Sequence, residues 1–148
     1  MNVKQQRIDD VKAYLSTYTN DAKRLDALLD KRIELYEKAV YQSPQLDIAG
    51  KQKKNGVPDR FAETLASIDN IERQILNTVV AMEKHYEQVD KMIESLGYEY
   101  DARIILQYRY INGTKWTDIA NKLNFTVGHV YRLHAKALKI LAGSKTTS

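Results

Sequence analysis

The chain has 148 residues, enough for one domain or two small ones, and its 43% hydrophobic and 28% charged residues are typical of a chain that folds. It contains no Cys, which excludes disulfides, thiolate zinc sites and cysteine nucleophiles. No apolar run approaches the roughly 20 residues that span a bilayer, and no charged-then-apolar leader opens the chain. We therefore expect a cytoplasmic protein without a membrane partner.

The net charge of +4 is distributed unevenly along the chain. Residues 1–100 carry 15 Lys and Arg against 17 Asp and Glu, whereas residues 101–148 carry 8 against 2. The C-terminal third is strongly basic, which predicts an acidic partner for it, most often nucleic acid. The alternative is a basic segment that only maintains solubility.

Two long segments without Gly or Pro predict two long helices, at about residues 3–42 and 59–96. Their apolar residues recur with alternating spacings of three and four, the heptad pattern of a coiled coil. In the first helix this stripe is Ile8, Val11, Leu15, Tyr18, Ala22, Leu25, Leu29, Arg32, Tyr36 and Ala39. In the second it is Phe61, Leu65, Ile68, Glu72, Ile75, Val79, Met82, Tyr86, Val89, Ile93 and Leu96. Both prolines and two glycines favour a loop over residues 43–58 between them.

The two stripes predict an antiparallel hairpin over residues 1–97 with a defined register. Because the loop is centred near residues 51 and 52, facing residues should have numbers that sum to about 104. Tyr18 then faces Tyr86, and Arg32 faces Glu72, so that the two polar members of the stripes form an ion pair. A shift by one heptad would place both charges against apolar side chains, which is unfavourable. The alternative is that both charged side chains extend separately to water.

Further apolar residues flank the stripes, and two helices alone cannot cover so wide a surface. They are Leu28, Ile33, Val40, Ile71, Leu76 and Met92. Two hairpins packed as a four-helix bundle would cover them, so we expect a homodimer, with the C-terminal segment as the alternative cover.

After Gly97, which we expect to end the second long helix, residues 98–143 predict a separate three-helix domain, followed by a flexible tail at 144–148. The expected helices lie at about 101–111, 116–123 and 126–142, with Thr114 and Thr126 as N-caps. Asn112-Gly113 favours a turn after the first helix. Asn124 occupies the turn between the second and third, where a left-handed backbone is needed. This pattern is typical of a helix-turn-helix.

The third helix of this domain divides into an apolar and a basic side on a helical wheel. A helix of this kind enters the major groove with its N-terminal residues against base edges. We therefore predict that Arg132 makes a bidentate contact to guanine and that Thr126 and His129 donate to bases, while other residues approach or contact the DNA backbone. These other residues are Gly128, Lys136, Lys139, Lys115 and Lys122. The alternative for each lysine is a solvated surface charge.

No other residue pattern indicates a catalytic, metal-binding or cofactor-binding site. We expect Trp116 and His134 to pack in the core, and His85 has no partner pattern. Three scattered His without Cys do not make a zinc site. There is no nucleophile–base–acid set, Gly-rich phosphate loop or paired-carboxylate motif. We expect neither an enzyme nor a bound metal or cofactor.

Residues 107–120 and 130–141 resemble the fourth region of bacterial sigma factors, with its Arg-Tyr…Gly…Trp…Ile-Ala block and a helix ending in Ala-Leu…Leu. The whole chain is similar to the ArpU- and RinA-type late transcription regulators of phages and prophages of Gram-positive bacteria. No part matches the core-polymerase-binding regions of a full sigma factor. The resemblance implies a sequence-specific regulator of phage late or packaging genes, a recognition role for residues 126–136, and host RNA polymerase as a further candidate partner.

Our prediction is an all-α homodimer whose hairpin holds two basic helix-turn-helix heads on double-stranded DNA. One alternative is a small terminase subunit, which would form a ring and bind packaging sites. The other is a coiled-coil interaction module that captures a host protein and in which the basic head only assists.

Overall fold

The computed structural model describes residues 2–44 and 59–144, and this part of the chain forms helices without strands. The helices are α1 (Val3–Leu15), α2 (Thr17–Gln42), α3 (Asp59–Glu94), α4 (Tyr100–Tyr110), α5 (Trp116–Leu123) and α6 (Val127–Ser144). The predicted fold class, a long antiparallel hairpin followed by a three-helix helix-turn-helix, is confirmed. Most of the predicted loop at 43–58 and of the predicted tail at 144–148 lies outside the described residues.

The first long helix differs from the prediction because it is interrupted at Ser16, between α1 and α2. The Ser16 hydroxyl donates to the carbonyl oxygen of Lys12 at 2.8 Å, and that of Thr17 donates to Tyr14 at 2.8 Å. Hydroxyls that bond back to carbonyls three or four residues earlier compete with the helical hydrogen-bond pattern. The heptad spacing continues across the break, which is why the apolar pattern alone did not reveal it.

Two compact units make up the fold: Met1–Ala22 with Ala81–Ser148 (unit 1), and Lys23–Val80 (unit 2). The core of unit 1 joins residues from α1, the end of α3, α4 and α6. Its fully buried side chains include Val11, Leu15, Val89, Ile93, Leu106 and Ala137. The predicted boundary between residues 97 and 98 falls inside this unit, because α1 packs against α6.

In unit 2 the α2–α3 interface keeps Ala39, Ile68 and Ile75 of the predicted stripe but elsewhere is rotated, so that it buries the residue one position earlier. Leu35, Ala39, Ile68 and Ile71 form its buried core, packed by Leu28, Phe61 and Ile75. The heptad pattern also placed Tyr36, Leu65 and Val79 in the interface, but these three side chains are exposed. The rotation buries apolar Ile71 where the prediction buried charged Glu72, and burying a charge is the costlier arrangement.

Two threonines enter this interface because their hydroxyls are satisfied. The Thr64 hydroxyl donates at 2.6 Å to Oε1 of Gln42, and Thr78 donates at 2.7 Å to the carbonyl oxygen of Gln74. Both threonines are almost fully buried. A buried hydroxyl with a partner carries little penalty, so a small polar residue serves here as well as an apolar one.

The predicted register is confirmed by one contact in each unit. In unit 2, Nη1 of Arg32 lies 3.5 Å from Oε2 of Glu72. In unit 1, the rings of Tyr18 and Tyr86 meet edge to face with centroids 5.5 Å apart. The alternative in which Arg32 and Glu72 extend separately to water is therefore wrong. Their side chains nevertheless remain 37% and 40% exposed, so solvent screens the pair and its contribution to stability is small.

Exchanging the two charges in the double variant Arg32→Glu/Glu72→Arg is expected to be tolerated better than either single reversal. Each single reversal places like charges together, and we expect a coupling of about 0.5–1 kcal/mol in a double-mutant cycle measured by urea unfolding. The hydroxyl of Tyr36 also donates to Oε1 of Glu72 at 3.1 Å, so the cycle should be repeated in a Tyr36→Phe background. Zero coupling there would show that the ion pair does not select the register.

Candidate nucleic-acid interface

The turn between α5 and α6 adopts the backbone conformation that the sequence predicts. Asn124 has φ 57° and ψ 37°, in the left-handed region that Asn tolerates better than most residues. The N–H of Phe125 donates to the carbonyl oxygen of Ala120 at 2.9 Å, and that of Asn124 to Asn121 at 3.4 Å. These two bonds form a Schellman motif, which satisfies the last carbonyls of α5 and turns the chain into α6.

A compact apolar cluster fixes the angle between these two helices. Ile119 and Ala120 of α5 and Val130 of α6 are buried together with Ile105 of α4. Trp116, Phe125 and Leu133 are partly buried around them. The small side chain of Ala120 lets the two helices approach closely, so this cluster holds α6 against α5 with the opposite face of α6 in solvent.

The N-caps agree with the sequence at one helix and differ at the other. Oγ1 of Thr126 accepts from the N–H of His129 at 3.1 Å, so Thr126 caps α6 as expected. Thr114 does not cap α5, because Lys115 occupies that position and no side chain caps the helix. The N–H of Thr114 instead donates to the carbonyl oxygen of Tyr108 at 2.8 Å, which closes the turn after α4.

An aromatic cluster behind the interface connects α4, α5 and α6. The Tyr110 hydroxyl and Nε2 of His134 lie 2.7 Å apart, and the His134 ring meets the edge of Trp116 with centroids 4.7 Å apart. The guanidinium of Arg109 lies 4.5 Å from the centre of the Trp116 ring and donates to the carbonyl oxygen of Thr114 at 3.2 Å. His134 and Trp116 are thus packing residues, as predicted. Burial raises the pKa of Tyr110 to about 12, which keeps its hydroxyl protonated.

The exposed face of α6 presents most of the predicted contact residues. Arg132, Gly128, Lys136 and Lys139 are exposed, and so is Thr126 immediately before the helix. Within the part of the chain that the structure describes, Arg132 has no hydrogen-bond or ion-pair partner. A Cβ at Gly128 would lie 3.4 Å from Nη1 of Arg132, so the guanidinium extends back toward the start of α6. His129 is half-buried, and its ring meets the ring of Phe125 edge to face with centroids 4.8 Å apart.

An acidic residue neutralises part of this basic face. Nζ of Lys136 lies 3.3 Å from Oε2 of Glu99. Glu99 precedes α4, and sequence spacing alone does not show that it reaches α6. Lys136 is therefore partly engaged, and Arg132 is the more available cation.

Two further predicted residues lie at the two ends of α5, and Lys139 has neighbours outside α6. Lys115 is exposed at the start of α5. Lys122 is exposed near its end, with Nζ 5.9 Å from the centre of the Tyr108 ring. Lys139 lines a groove together with residues of α1, a proximity that the sequence did not indicate because about 130 residues separate the two segments.

His85 has a partner that its sequence context did not suggest. Its Nδ1 lies 2.5 Å from Oδ2 of Asp21 on α2. The antiparallel register brings the two side chains together, although they are 64 residues apart in the chain.

Over residues 2–44 and 59–144, no group of three His, Asp or Glu side chains is arranged to hold a metal ion. No helix within these ranges has the length and apolarity to cross a membrane.

Comparison with known proteins identifies a family but no annotated relative. Residues 41–142 match the family model described as "Protein of unknown function (DUF1492)". This range contains α3, α4 and α5 and nearly all of α6. No curated protein and no solved structure matches the chain. Because the family model covers more than half of the chain, the protein belongs to the DUF1492 family.

Proposed function

We propose that this protein is a sequence-specific DNA-binding transcriptional regulator of phage or prophage late genes, acting in the cytoplasm of a bacterial host cell. The proposal rests on the exposed basic face of α6, the second helix of the helix-turn-helix. The phage context comes from the resemblance to the ArpU- and RinA-type regulators. The proposed role is binding rather than catalysis.

The single observation that best supports this function is the placement of Arg132. Its side chain is exposed and has no partner in the described part of the chain, and it lies beside Gly128 at the N-terminal end of α6. The N-terminal residues of a recognition helix are the ones that meet base edges in the major groove. A guanidinium there can make two parallel hydrogen bonds to O6 and N7 of guanine.

The surrounding charges suit the DNA backbone. Exposed Lys115, Lys122 and Lys139 bring further positive charge to unit 1, and Lys136 adds to it although Glu99 lies beside it. Within residues 101–148 the acidic residues are Asp101 and Asp118. Phosphate contacts from such lysines supply affinity and position the helix, while contacts to base edges supply specificity.

The proposal is tested by selecting bound sites from random DNA and then measuring affinity at several salt concentrations. We expect one enriched motif and a log–log slope of about −0.9 per phosphate contact, so that four to six contacts give a slope of roughly −4 to −5. A flat salt response, or a selected pool without a common motif, would contradict the proposed function.

We infer further that the protein is a homodimer joined through unit 2. Ile33, Val40, Leu76 and Val80 are all more than half exposed in this unit. Ile33 and Val40 recur at seven residues on α2, and Leu76 and Val80 at four on α3, so each helix carries an apolar stripe that its partner in the hairpin leaves exposed. A second hairpin would cover both stripes as a four-helix bundle.

A mass measurement in solution tests the dimer and separates the regulator from a small terminase subunit. A dimer agrees with two heads that read two half-sites of one operator. A ring of eight or more copies would support DNA packaging instead. A monomer that captures a host protein through the unit 2 stripes would support an interaction module. Replacing Ile33 and Leu76 with Asp should dissociate the dimer while each chain stays helical.

A further inference from the structure

A second basic surface lies in unit 1, in the groove between α1 and the C-terminal part of α6. The groove has a volume of about 600 Å³ and contains Lys4 and Arg7 of α1 together with Lys139 of α6. The other lining residues are Asn2, Gln5, Ile8, Ala142 and Gly143. No carboxylate is among the described residues that line it, so three positive charges from two helices face one space.

These cations are not neutralised within the described part of the chain. Lys4, Arg7 and Lys139 are exposed and form no ion pair there. Asp9 and Asp10 also lie on α1, but they accept hydrogen bonds from Gln5 at 3.0 Å and from Gln6 at 2.9 Å and form no ion pair with these three cations. Three like charges in one groove repel one another, and a bound anion would relieve that repulsion.

The start of α1 adds to the positive potential of the groove. The Asn2 side chain caps α1 by accepting from the N–H of Gln5 at 2.7 Å, which fixes this helix end beside the groove. The N-terminal end of a helix carries a partial positive charge. Two ammonium groups, one guanidinium and a helix N-terminus therefore act on the same volume, a combination that favours a phosphate.

The position of Lys139 connects this groove to the proposed recognition face. Lys139 follows Arg132 by seven residues on the same side of α6, which is a rise of roughly 10 Å along the helix axis. The major groove is about 12 Å wide and 8.5 Å deep. If the N-terminal end of α6 contacts base edges, Lys139 lies on the same side of the helix but farther from the bases, toward the sugar–phosphate backbone.

We propose that Lys4 and Arg7 of α1 join Lys139 of α6 in a composite site for a backbone phosphate of the DNA that flanks the recognised half-site. The proposal rests on the DNA-binding function proposed above and extends its footprint to the N-terminal helix. The guanidinium of Arg7 can donate two hydrogen bonds to one phosphate, and the lysines contribute charge. Such a site adds affinity and fixes orientation without reading sequence.

The test compares the full-length protein with the double variant Lys4→Gln/Arg7→Gln on two duplexes. One duplex holds the selected site with long flanks, and the other ends at the edge of that site. On the long duplex we expect about a tenfold loss of affinity, a salt slope shallower by about one, and an unchanged base preference. On the short duplex the variant and the unmodified protein should bind equally, because the flanking phosphate is missing.

The double variant Lys84→Gln/Lys91→Gln is the matched control, because it also removes two exposed positive charges, here from the part of α3 that lies in unit 1. It should leave the difference between the two duplexes unchanged, and circular dichroism should show that all variants are folded. If the double variant binds the long duplex as well as the unmodified protein does, or loses affinity equally on both duplexes, the phosphate site is refuted while the recognition face stands. If the unmodified protein selects no DNA motif, both proposals fail together.

Discussion

Replacing Arg132 with Ala is expected to weaken binding to the selected DNA site by about ten- to a hundredfold, equivalent to roughly 1–3 kcal/mol. The exposed guanidinium, which has no partner in the described part of the chain, is the group on α6 best placed to form a bidentate contact with guanine. Losing that contact should also relax the base preference at one position of each half-site. Affinity for a panel of single-base variants of the site, measured at constant salt, would show both effects.

Two further variants separate base recognition from simple attraction of charge. Arg132→Lys keeps the positive charge but lacks the planar guanidinium that donates two parallel hydrogen bonds. This variant should therefore lose most of the preference for guanine at the contacted position. Lys122→Ala, on α5, should weaken binding to all sequences alike and reduce the salt slope by about one. If Arg132→Ala instead behaves like Lys122→Ala, Arg132 contacts a phosphate. If it binds as tightly as the unmodified protein, this face of α6 does not contact DNA.

The elements that follow from local patterns were predicted closely from the sequence. Asn124 has the left-handed conformation expected of the turn, and Thr126 caps α6. The hairpin register was also predictable, because the loop centre and two charged positions define it together, and the Arg32–Glu72 pair forms as expected. Each of these predictions uses residues whose relation is set by short-range geometry or by a single symmetric fold-back of the chain.

The features that the sequence did not reveal depend on packing between distant segments. The ion pair of Lys136 with Glu99 and the basic groove shared by Lys139 and α1 require the tertiary position of α6. The interface in unit 2 also admits Thr64, whose hydroxyl has a partner in Gln42 on the facing helix as well as in Arg60 on its own. A binary pattern of apolar and polar residues excludes threonine from an interface, although a satisfied hydroxyl packs there without penalty.

The buried His134 makes the stability of unit 1 sensitive to acid. Its side chain is 8% exposed and lies between Tyr110 and Trp116. Burial, together with the positive charges of Lys12 and Arg109, lowers the pKa of His134 from 6.5 to about 4. The folded protein therefore keeps this imidazole neutral at pH values where the unfolded chain protonates it.

The free energy of unfolding should consequently fall as the pH decreases from about 6.5 to 4. The unfolded state binds more protons throughout this window, so the stabilisation is complete above pH 6.5 and is lost as the pH approaches the folded-state pKa. The lowering from 6.5 to about 4 corresponds to a loss of about 3 kcal/mol from this residue. Urea unfolding at a series of pH values measures it.

Because carboxylates also titrate in this range, the informative quantity is the difference between variants. His134→Gln removes the titrating ring, so its stability, although lower at pH 7, should vary less between pH 6.5 and 4 than that of the unmodified protein. Lys12→Gln keeps the ring but removes a charge that lowers its pKa, and should therefore show a smaller acid-induced loss. Parallel stability curves for the unmodified protein and His134→Gln would mean that His134 titrates at the same pH in the folded and the unfolded chain, so that folding does not lower its pKa. Any acid-induced loss of stability would then originate in the other titrating groups of the protein.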